Sequence, residues 1–205
     1  MAKLYFHYSA MNAGKSTLLL QASYNYRERG MTTMLFTAAL DDRAGSGRIA
    51  SRIGLNADAE TFTADTDFFA RVATHNAAAG PVHCVFLDEA QFLSEAQVWQ
   101  LARVADRLGV PVMAYGLRTD FQGKLFPGSQ ALLAIADDLR EVRTICRCGR
   151  KAAMVVRLDG EGRVVKEGAQ VEIGGNDRYI SLCRRHWEEE TGRYRAEDLV
   201  GFAQP

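Results

Sequence analysis

The run Ser9-Ala10-Met11-Asn12-Ala13-Gly14-Lys15-Ser16-Thr17 lies between an apolar stretch, residues 4–8, and a stretch of helical composition, residues 16–29. A strand, a loop ending in Gly-Lys-Ser and a helix, in this order, are typical of a phosphate-binding loop. The backbone N–H groups of such a loop and the positive end of its helix bind phosphate oxygens. The sequence therefore predicts a nucleoside triphosphate site, with Lys15 on the β- and γ-phosphates and Ser16 on Mg²⁺.

One position departs from the usual pattern G-x-x-x-x-G-K-[S/T]. Ser9 stands where that pattern has its first glycine. Because serine enters a tight turn less readily than glycine, we expect the loop to bend somewhat differently here. A chance Gly-Lys-Ser is the alternative, and the order of strand, loop and helix argues against it.

A second element follows the apolar residues 82–87, which end in Asp88-Glu89-Ala90-Gln91. A phosphate-loop enzyme needs a carboxylate at the end of a neighbouring strand, and Asp88 would hold Mg²⁺ there through water. Glu89 is then placed to act on a nucleophile or an acceptor. The alternative is two solvated acids at a helix start, where the helix dipole favours them.

Two other nucleotide-dependent classes fit less well. Helicases carry a similar Asp-Glu box, but they need two motor domains and a basic track, and this chain has room for one such domain and no net charge. A GTPase is disfavoured because the guanine-binding pattern N-K-x-D does not occur in the sequence.

The pattern of elements predicts an α/β fold of the P-loop (RecA-like) class, a parallel sheet with helices on both faces. Strands are expected at 3–8, 33–37, 82–87, 110–115 and 139–145, and helices at 16–29, 67–78, 95–108 and 130–136. Residues 41–51 are polar and glycine-rich, which predicts a mobile surface loop. We expect a nucleotide-binding domain at 1–145, a small β module at 146–190 and a polar tail at 191–205.

Composition limits the partners and the compartment. The 205 residues carry 25 basic and 25 acidic side chains, which argues against nonspecific binding to nucleic acid or to an anionic membrane. There is no secretory signal and no apolar run of about 18 residues. We therefore expect a cytoplasmic protein, whose four cysteines bind metal or stay as free thiols.

Two pairs of metal-binding residue types bracket the small β module. They are Cys146-x-Cys148 and Cys183-x-x-His186. Three thiolates and an imidazole suit tetrahedral Zn²⁺, and a site with four protein ligands has a structural role. Such a site would supply the stability that a module of this size lacks. Four unrelated side chains are the alternative, and Cys84 is expected to be an ordinary core residue.

Taken together, these motifs resemble the zinc-containing, P-loop type of thymidine kinase, and the bacterial members in particular. The resemblance rests on the phosphate loop, the D-E-x-Q box, the runs YGLRTDFQGKLFPGS at 115–129 and GGNDRY at 174–179, and SYNYRERGM at 23–31. It implies transfer of a phosphoryl group from ATP, with Mg²⁺, to the 5′-hydroxyl of thymidine or deoxyuridine. It also implies a homotetramer and feedback inhibition by dTTP.

The resemblance also implies roles for particular residues. Glu89 is the base for the 5′-hydroxyl, Arg43 holds the reacting oxygen and phosphate, and Phe121 packs on the thymine ring. The loop after Val171 reads the edge of the base through its backbone, and Tyr179 closes that loop. Other members of the implied acceptor pocket are Met11, Asp41, Gln91, Leu117, Ile173, Gly174 and Gly175. Gln91 is also expected beside the nucleotide.

Two questions stay open at the level of sequence. Arg118 either meets phosphate or pairs with Asp120. The runner-up function is a regulatory ATP-binding module whose metal lobe docks on nucleic acid or protein. Basic residues near the expected metal favour that reading, and the acids at 188–190 oppose it. The basic residues are Arg147, Arg150, Lys151, Arg184 and Arg185.

Overall fold

The computed structural model describes residues 1–40, 45, 47–171 and 178–193. The chain divides into two compact units. The first comprises Met1–Ser9, Ala13–Arg118 and Leu125–Val142, and the second comprises Ala10–Asn12, Thr119–Lys124 and Arg143–Pro205. Residues 10–12 and 119–124, which we expect in the nucleotide-binding domain, therefore group with the second unit.

The first unit is built on a parallel sheet of six strands. In chain order, these strands are β1 (Leu4–Ser9), β2 (Thr33–Ala38), β5 (Glu60–Phe62), β6 (Cys84–Leu87), β7 (Val112–Leu117) and β8 (Asp138–Glu141). Their spatial order is β5-β2-β6-β7-β1-β8, and every neighbouring pair is parallel. The predicted parallel sheet is confirmed, and β1 and β6 are both neighbours of β7.

Helices cover both faces of this sheet, as predicted. They are α1 (Lys15–Glu28), α2 (Phe68–Ala79), α3 (Glu95–Leu108) and α4 (Pro127–Ile135). One core cluster joins side chains of α2, α3 and α4 to alternate strand residues such as Phe6, Phe36 and Leu87. The other joins α1 to residues of the opposite parity, including Leu35 and Phe86. Successive strand side chains point to opposite faces, so the nearly continuous apolar strands supply both cores.

Local signals place several helix ends correctly. The Ser94 hydroxyl accepts a hydrogen bond from the Gln97 N–H, and the Gln97 side chain accepts one from the Ser94 N–H. This capping box starts α3 at the predicted position. The Asp67 side chain caps α2 in the same way, by accepting from the Ala70 N–H.

Part of the predicted surface loop at 41–51 is wrong. A strand β3 (Arg48–Ala50) pairs antiparallel with β4 (Asn56–Asp58), and Ile49 is buried in the core beneath α1. A strand of three residues with one large apolar side chain gives too short a pattern to predict from the sequence. The strand depends on the burial of Ile49, which only the folded structure shows. Residues 41–44 and 46 lie outside the described part of the chain.

The second unit consists of short antiparallel strands and one helix. Strand β9 (Thr144–Ile145) pairs with β10 (Lys151–Ala152), and β11 (Met154–Leu158) lies between β12 (Val164–Val165) and β13 (Tyr179–Leu182). The predicted single strand at 139–145 is therefore two strands, β8 in the first unit and β9 in the second. A hairpin joins β11 to β12, and in its turn the Asp159 carboxylate accepts the N–H groups of Glu161 and Arg163.

Helix α5 (Arg184–Thr191) follows β13 and carries Trp187 into the core of the second unit. The helix ends at Thr191, where the expected polar tail, residues 191–205, begins. An ion pair between Arg185 and Glu189, four positions apart, supports the helix. Residues 194–205 lie outside the described part of the chain. None of the helices described is long and apolar enough to span a bilayer.

A glycine allows the start of α4 to pack against the turn that follows β6. A Cβ built on Gly128 would lie 2.6 Å from the Ala90 carbonyl oxygen, 2.7 Å from that of Leu93 and 2.9 Å from that of Gln91. All three neighbours are backbone atoms, which cannot rotate away as a side chain would. This contact holds the 3₁₀ turn Ala90–Phe92 in place next to the acidic pair.

We predict that Gly128→Ala lowers the free energy of unfolding by about 1–2 kcal/mol. Alanine favours a helix by up to about 1 kcal/mol over glycine, but the overpacking costs about 1–3 kcal/mol. Gly160→Ala is the control, because a Cβ there has nothing within 4 Å. Urea denaturation of both variants measures the effect, and equal stability of Gly128→Ala and the parent would contradict it.

Candidate active site and metal centre

The phosphate loop leaves β1 and enters α1 through a left-handed turn. Gly14 precedes the first helical residue with φ 84°, a conformation that glycine adopts without steric cost. The amino-terminal N–H groups of α1 have no partners within the helix, which makes this end suited to phosphate. The predicted strand, loop and helix are therefore present, and a nucleotide site on residues 9–17 stays a prediction.

Ser9 is the last residue of β1, and it is not among the described residues with positive φ. Glycine is therefore not required at this position, which explains why serine is tolerated. The Ser9 hydroxyl accepts a hydrogen bond from Lys15 Nζ at 3.0 Å, and Lys15 is only 8% exposed. This hydrogen bond holds the ammonium group of Lys15 next to the first residue of the loop.

Asp88 lies directly after β6 and is connected to the phosphate loop. Its Oδ2 accepts a hydrogen bond of 2.7 Å from Ser16 Oγ, and its Oδ1 accepts the N–H of Glu89 at 3.0 Å. Burial, and next the Glu89 carboxylate, raise the pKa of Asp88 to about 7, although the hydrogen bond from Ser16 and the charge of Lys15 act in the opposite direction. A hydroxyl beside a buried carboxylate is a pair of oxygen ligands that suits Mg²⁺.

Glu89 has an unusual backbone conformation, φ 54° and ψ 38°, for a residue other than glycine. Such conformations cost free energy and are found most often at functional sites. Gln91 Nε2 donates a short hydrogen bond to Glu89 Oε2, and Gln91 Oε1 accepts the Leu117 N–H at 2.9 Å. Gln91 is 1% exposed, so its amide orients the Glu89 carboxylate from behind.

The places of Gln91 and Leu117 in an acceptor pocket stay predictions. Gln91 is fully buried, and its amide binds the Glu89 carboxylate and the Leu117 N–H. The spacing D-E-x-Q signals a site, but only the folded turn shows which group the glutamine contacts.

The remaining predicted acceptor residues of the described chain belong to the second unit. Met11 accepts a hydrogen bond at its carbonyl from Ser181 Oγ, and the Asn12 amide donates to the Tyr179 carbonyl at 3.4 Å. Phe121 is 2% exposed, and Val171 is 40% exposed. Asp41, Arg43, Ile173, Gly174 and Gly175 lie outside the described residues.

The four predicted metal ligands of the second unit come together. The sulfur atoms of Cys146, Cys148 and Cys183 and a ring nitrogen of His186 all lie within 4.8 Å of one another. Cys146 Sγ is 3.1 Å from His186 Nδ1, and Cys148 Sγ is 3.9 Å from Cys183 Sγ. Zinc bonds of about 2.0–2.3 Å place tetrahedral ligands about 3.5–3.8 Å apart, so this donor set fits Zn²⁺.

Hydrogen bonds within the cluster favour the thiolate form of Cys146, which is the form that binds metal. Burial acts to raise the pKa of the Cys146 thiol, but hydrogen bonding to His186 and to the backbone amides of Cys148 and Cys183 lowers it to about 6. His186 turns Nδ1 to the cysteines, while its Nε2 lies 3.9 Å from Glu189. At this distance Glu189 forms no hydrogen bond to the ring, and it acts on His186 only through its charge.

The basic residues near the cluster are partly neutralised. Arg147 pairs with Glu190 at 2.7 Å, and Arg185 pairs with Glu189 at 2.8 Å. These two acids would repel the phosphates of a nucleic acid near the same arginines. The charge pattern therefore gives no support to the alternative of a nucleic-acid docking lobe.

We predict that the purified chain holds about one zinc ion, and that Cys183→Ser reduces this to near zero because a tetrahedral site needs all four ligands. Cys84→Ala is the matched control, since Cys84 is buried in the first unit and is not part of the cluster. Metal analysis by mass spectrometry measures both. A full zinc content in Cys183→Ser would refute this assignment.

Comparison with known proteins agrees with this geometry. The family model for thymidine kinase matches residues 2–187. The chain is 72% identical over 189 residues to a thymidine kinase of Agrobacterium fabrum, covering 92% of this chain and 97% of the relative. It is 70% identical over 202 residues to one of Mesorhizobium japonicum (98% of each chain) and 59% identical over 193 residues to one of Vibrio vulnificus (94% of this chain, 100% of the relative).

Among solved structures, the Pif1 helicase from Candida albicans aligns with a TM-score of 0.43 and 17% identity, over 71% of this chain and 37% of that one. That similarity is too weak to carry a conclusion. The family match extends over nearly the whole sequence and includes the phosphate loop, the acidic pair and the cysteine cluster. This chain therefore belongs to the thymidine kinase family.

Proposed function

We propose that this protein transfers the γ-phosphoryl group of ATP to the 5′-hydroxyl of thymidine, and of deoxyuridine, in pyrimidine deoxynucleotide salvage. Membership of the family supports the reaction. The hydrogen bond of 2.7 Å between Ser16 and Asp88 is the structural observation that carries the proposal, because it joins the phosphate loop to an acid. Phosphoryl transfer by this class of fold needs those two elements side by side.

ATP would lie on the phosphate loop with its β- and γ-phosphates at the amino terminus of α1. Ser16 and Asp88 are proposed to hold Mg²⁺, which when bound neutralises charge on the β- and γ-oxygens. Lys15 would exchange the Ser9 hydroxyl for phosphate oxygens, since both are acceptors for its ammonium group. Arg43 is proposed, from the family resemblance, to add a second positive charge near the transferred group.

Glu89 is proposed to act as the general base. Its carboxylate accepts the proton of the 5′-hydroxyl as the 5′-oxygen forms a bond to the γ-phosphorus. The bond from that phosphorus to the β,γ-bridging oxygen breaks, and ADP leaves. Gln91 limits the carboxylate to one orientation through its short hydrogen bond, which supports a base that must meet a hydroxyl in line with the phosphate.

The acceptor site is proposed from the resemblance. Thymine would contact the ring of Phe121, and the backbone after Val171 would bind the edge of the base, with Tyr179 closing the loop. Phe121 is 2% exposed here, so a base can reach its ring only after a neighbouring group moves. We therefore expect nucleoside binding to rearrange the side chains around Phe121.

The resemblance supports three further proposals, namely a homotetramer, feedback inhibition by dTTP and a cytoplasmic location. Sedimentation velocity of the purified chain tests the homotetramer, and a particle of one or two chains at micromolar concentration would contradict it.

Initial rates with added dTTP test feedback inhibition, and the absence of competition between dTTP and thymidine would contradict it. Fractionation of cells expressing the chain tests the cytoplasmic location.

We predict that the chain, given ATP and Mg²⁺, forms monophosphate from thymidine and deoxyuridine but not from deoxyadenosine or deoxyguanosine. Glu89→Gln should lower kcat by about 10²–10⁴-fold, because it removes the base and leaves the volume of the side chain. Chromatography of labelled nucleosides measures both. The matched control is Glu95→Gln, an exposed acid in the first turn of α3.

Product from none of the nucleosides would overturn the proposed activity itself. Normal turnover by Glu89→Gln would leave the activity in place and remove only Glu89 from its proposed role. Binding of ATP and thymidine to the variant, measured by calorimetry, should stay close to that of the parent in either case.

A further inference from the structure

Arg157 is a buried arginine in the second unit. It lies on β11 and is 4% exposed. A guanidinium group that leaves water is costly unless charge, ring or hydrogen-bond partners replace the solvent. The partners that the structure gives to Arg157 belong to the chain segments that carry the proposed thymine site.

The first partner is Phe121. The guanidinium carbon of Arg157 lies 4.0 Å from the centre of the Phe121 ring, a close cation–π stack. Behind this ring, Trp187 Nε1 donates to the Phe121 carbonyl at 3.1 Å and to the Val155 carbonyl at 3.0 Å. The Phe121 side chain is therefore held on one face by Arg157, and its backbone is held by Trp187.

The second partner is the segment just before Val171. Arg157 donates from Nη1 to the Ala169 carbonyl at 2.9 Å. Gly168 has φ 144°, and a Cβ built there would lie 2.6 Å from Arg157 Nη2. Only glycine lets the backbone come this close to the guanidinium group.

Two other hydrogen bonds join the same two segments. Gln170 Nε2 donates to Asp120 Oδ2 at 3.0 Å, and Gln122 Nε2 donates to the Gly168 carbonyl at 3.4 Å. Two hydrogen bonds thus join the turn that carries Phe121 to residues 168–170, which Arg157 also contacts. The Arg157 stack is the centre of this arrangement, because it contacts both segments.

Tyr179 is the register neighbour of Arg157 in the adjacent strand. Arg157 and Tyr179 are directly opposite each other in the antiparallel pair β11 and β13, so their side chains lie on the same face. Ala169 and Tyr179 flank the stretch that the proposed function assigns to the edge of the base. Arg157 therefore contacts the chain before that stretch and lies opposite the residue that follows it.

We infer that Arg157 is a positioning residue for the proposed thymine contact: it fixes the ring of Phe121 relative to residues 168–170 and to the strand that begins at Tyr179. This inference rests on the proposed function. Arg157 acts through Phe121 and the backbone, and no contact with the nucleoside is assigned to it. A lysine would not replace it, because only the planar guanidinium can stack on a ring and donate sideways to a carbonyl at once.

The experiment compares Arg157→Lys with Arg163→Lys. Arg163 lies on the same hairpin but is 71% exposed and paired with Asp159. We expect Arg157→Lys to raise KM for thymidine by roughly 10-fold to 100-fold, from the lost stack and hydrogen bond, with KM for ATP and the zinc content unchanged. Gly168→Ala is a second variant, which should raise KM for thymidine while leaving Arg157 in the sequence.

Hydrogen exchange gives a readout that does not depend on activity. The amides of residues 168–171 and 179–182 should exchange faster in Arg157→Lys than in the parent or in Arg163→Lys. A thymidine KM within about twofold of the parent in both Arg157→Lys and Gly168→Ala would overturn the inference. A parallel rise of KM for ATP with loss of zinc would also overturn it, because Arg157 would then support the fold in general.

A parent chain without activity on thymidine is a different result. It contradicts the proposed function, and with it the link from Arg157 to a thymine site. The exchange measurement then tests whether Arg157 holds residues 168–171. Unchanged amide exchange of these residues in Arg157→Lys would show that it does not.

Discussion

The hydrogen bond from Ser16 to Asp88 joins residues that are 72 positions apart in the chain. It forms because β1 and β6 are parallel neighbours of β7, so that the loops after these strands leave from the same edge of the sheet. Both apolar cores serve this constraint, since they fix the strands whose carboxyl ends carry the phosphate loop and the acidic pair. The turn after β6 then adds Gln91, which orients Glu89.

The second unit has too small an apolar core to be stable through burial alone. Its apolar cluster is small and includes two of the proposed zinc ligands, Cys146 and Cys183. Domains of this size usually need a metal or disulfides in addition to a hydrophobic core. The cluster of Cys146, Cys148, Cys183 and His186 would supply such a metal. The stack of Arg157 on Phe121 adds a polar contact to strands that bury little apolar surface.

Much of the fold and site follows from the sequence, because the signals are local. The Gly-Lys-Ser loop, the capping box at Ser94 and the pairs of metal-binding residues each act over a few positions. The missed features depend on tertiary contacts. A strand forms at residues 48–50 because Ile49 is buried in the core. The Gln91 amide contacts Glu89 only because the chain turns between them in the folded protein. Arg157 resembles any hairpin arginine in sequence, and only the structure shows that it is buried.

The central claim is that Asp88 and Ser16 hold the divalent metal of bound ATP. Paramagnetic resonance with Mn²⁺ tests it, by titrating the ion into the chain in the presence of ATP. We expect Asp88→Asn to weaken Mn²⁺ binding at least about tenfold. Asp106 is an exposed acid on α3, and Asp106→Asn should leave Mn²⁺ binding unchanged. Equal Mn²⁺ affinity in the parent and a correctly folded Asp88→Asn variant would contradict the account.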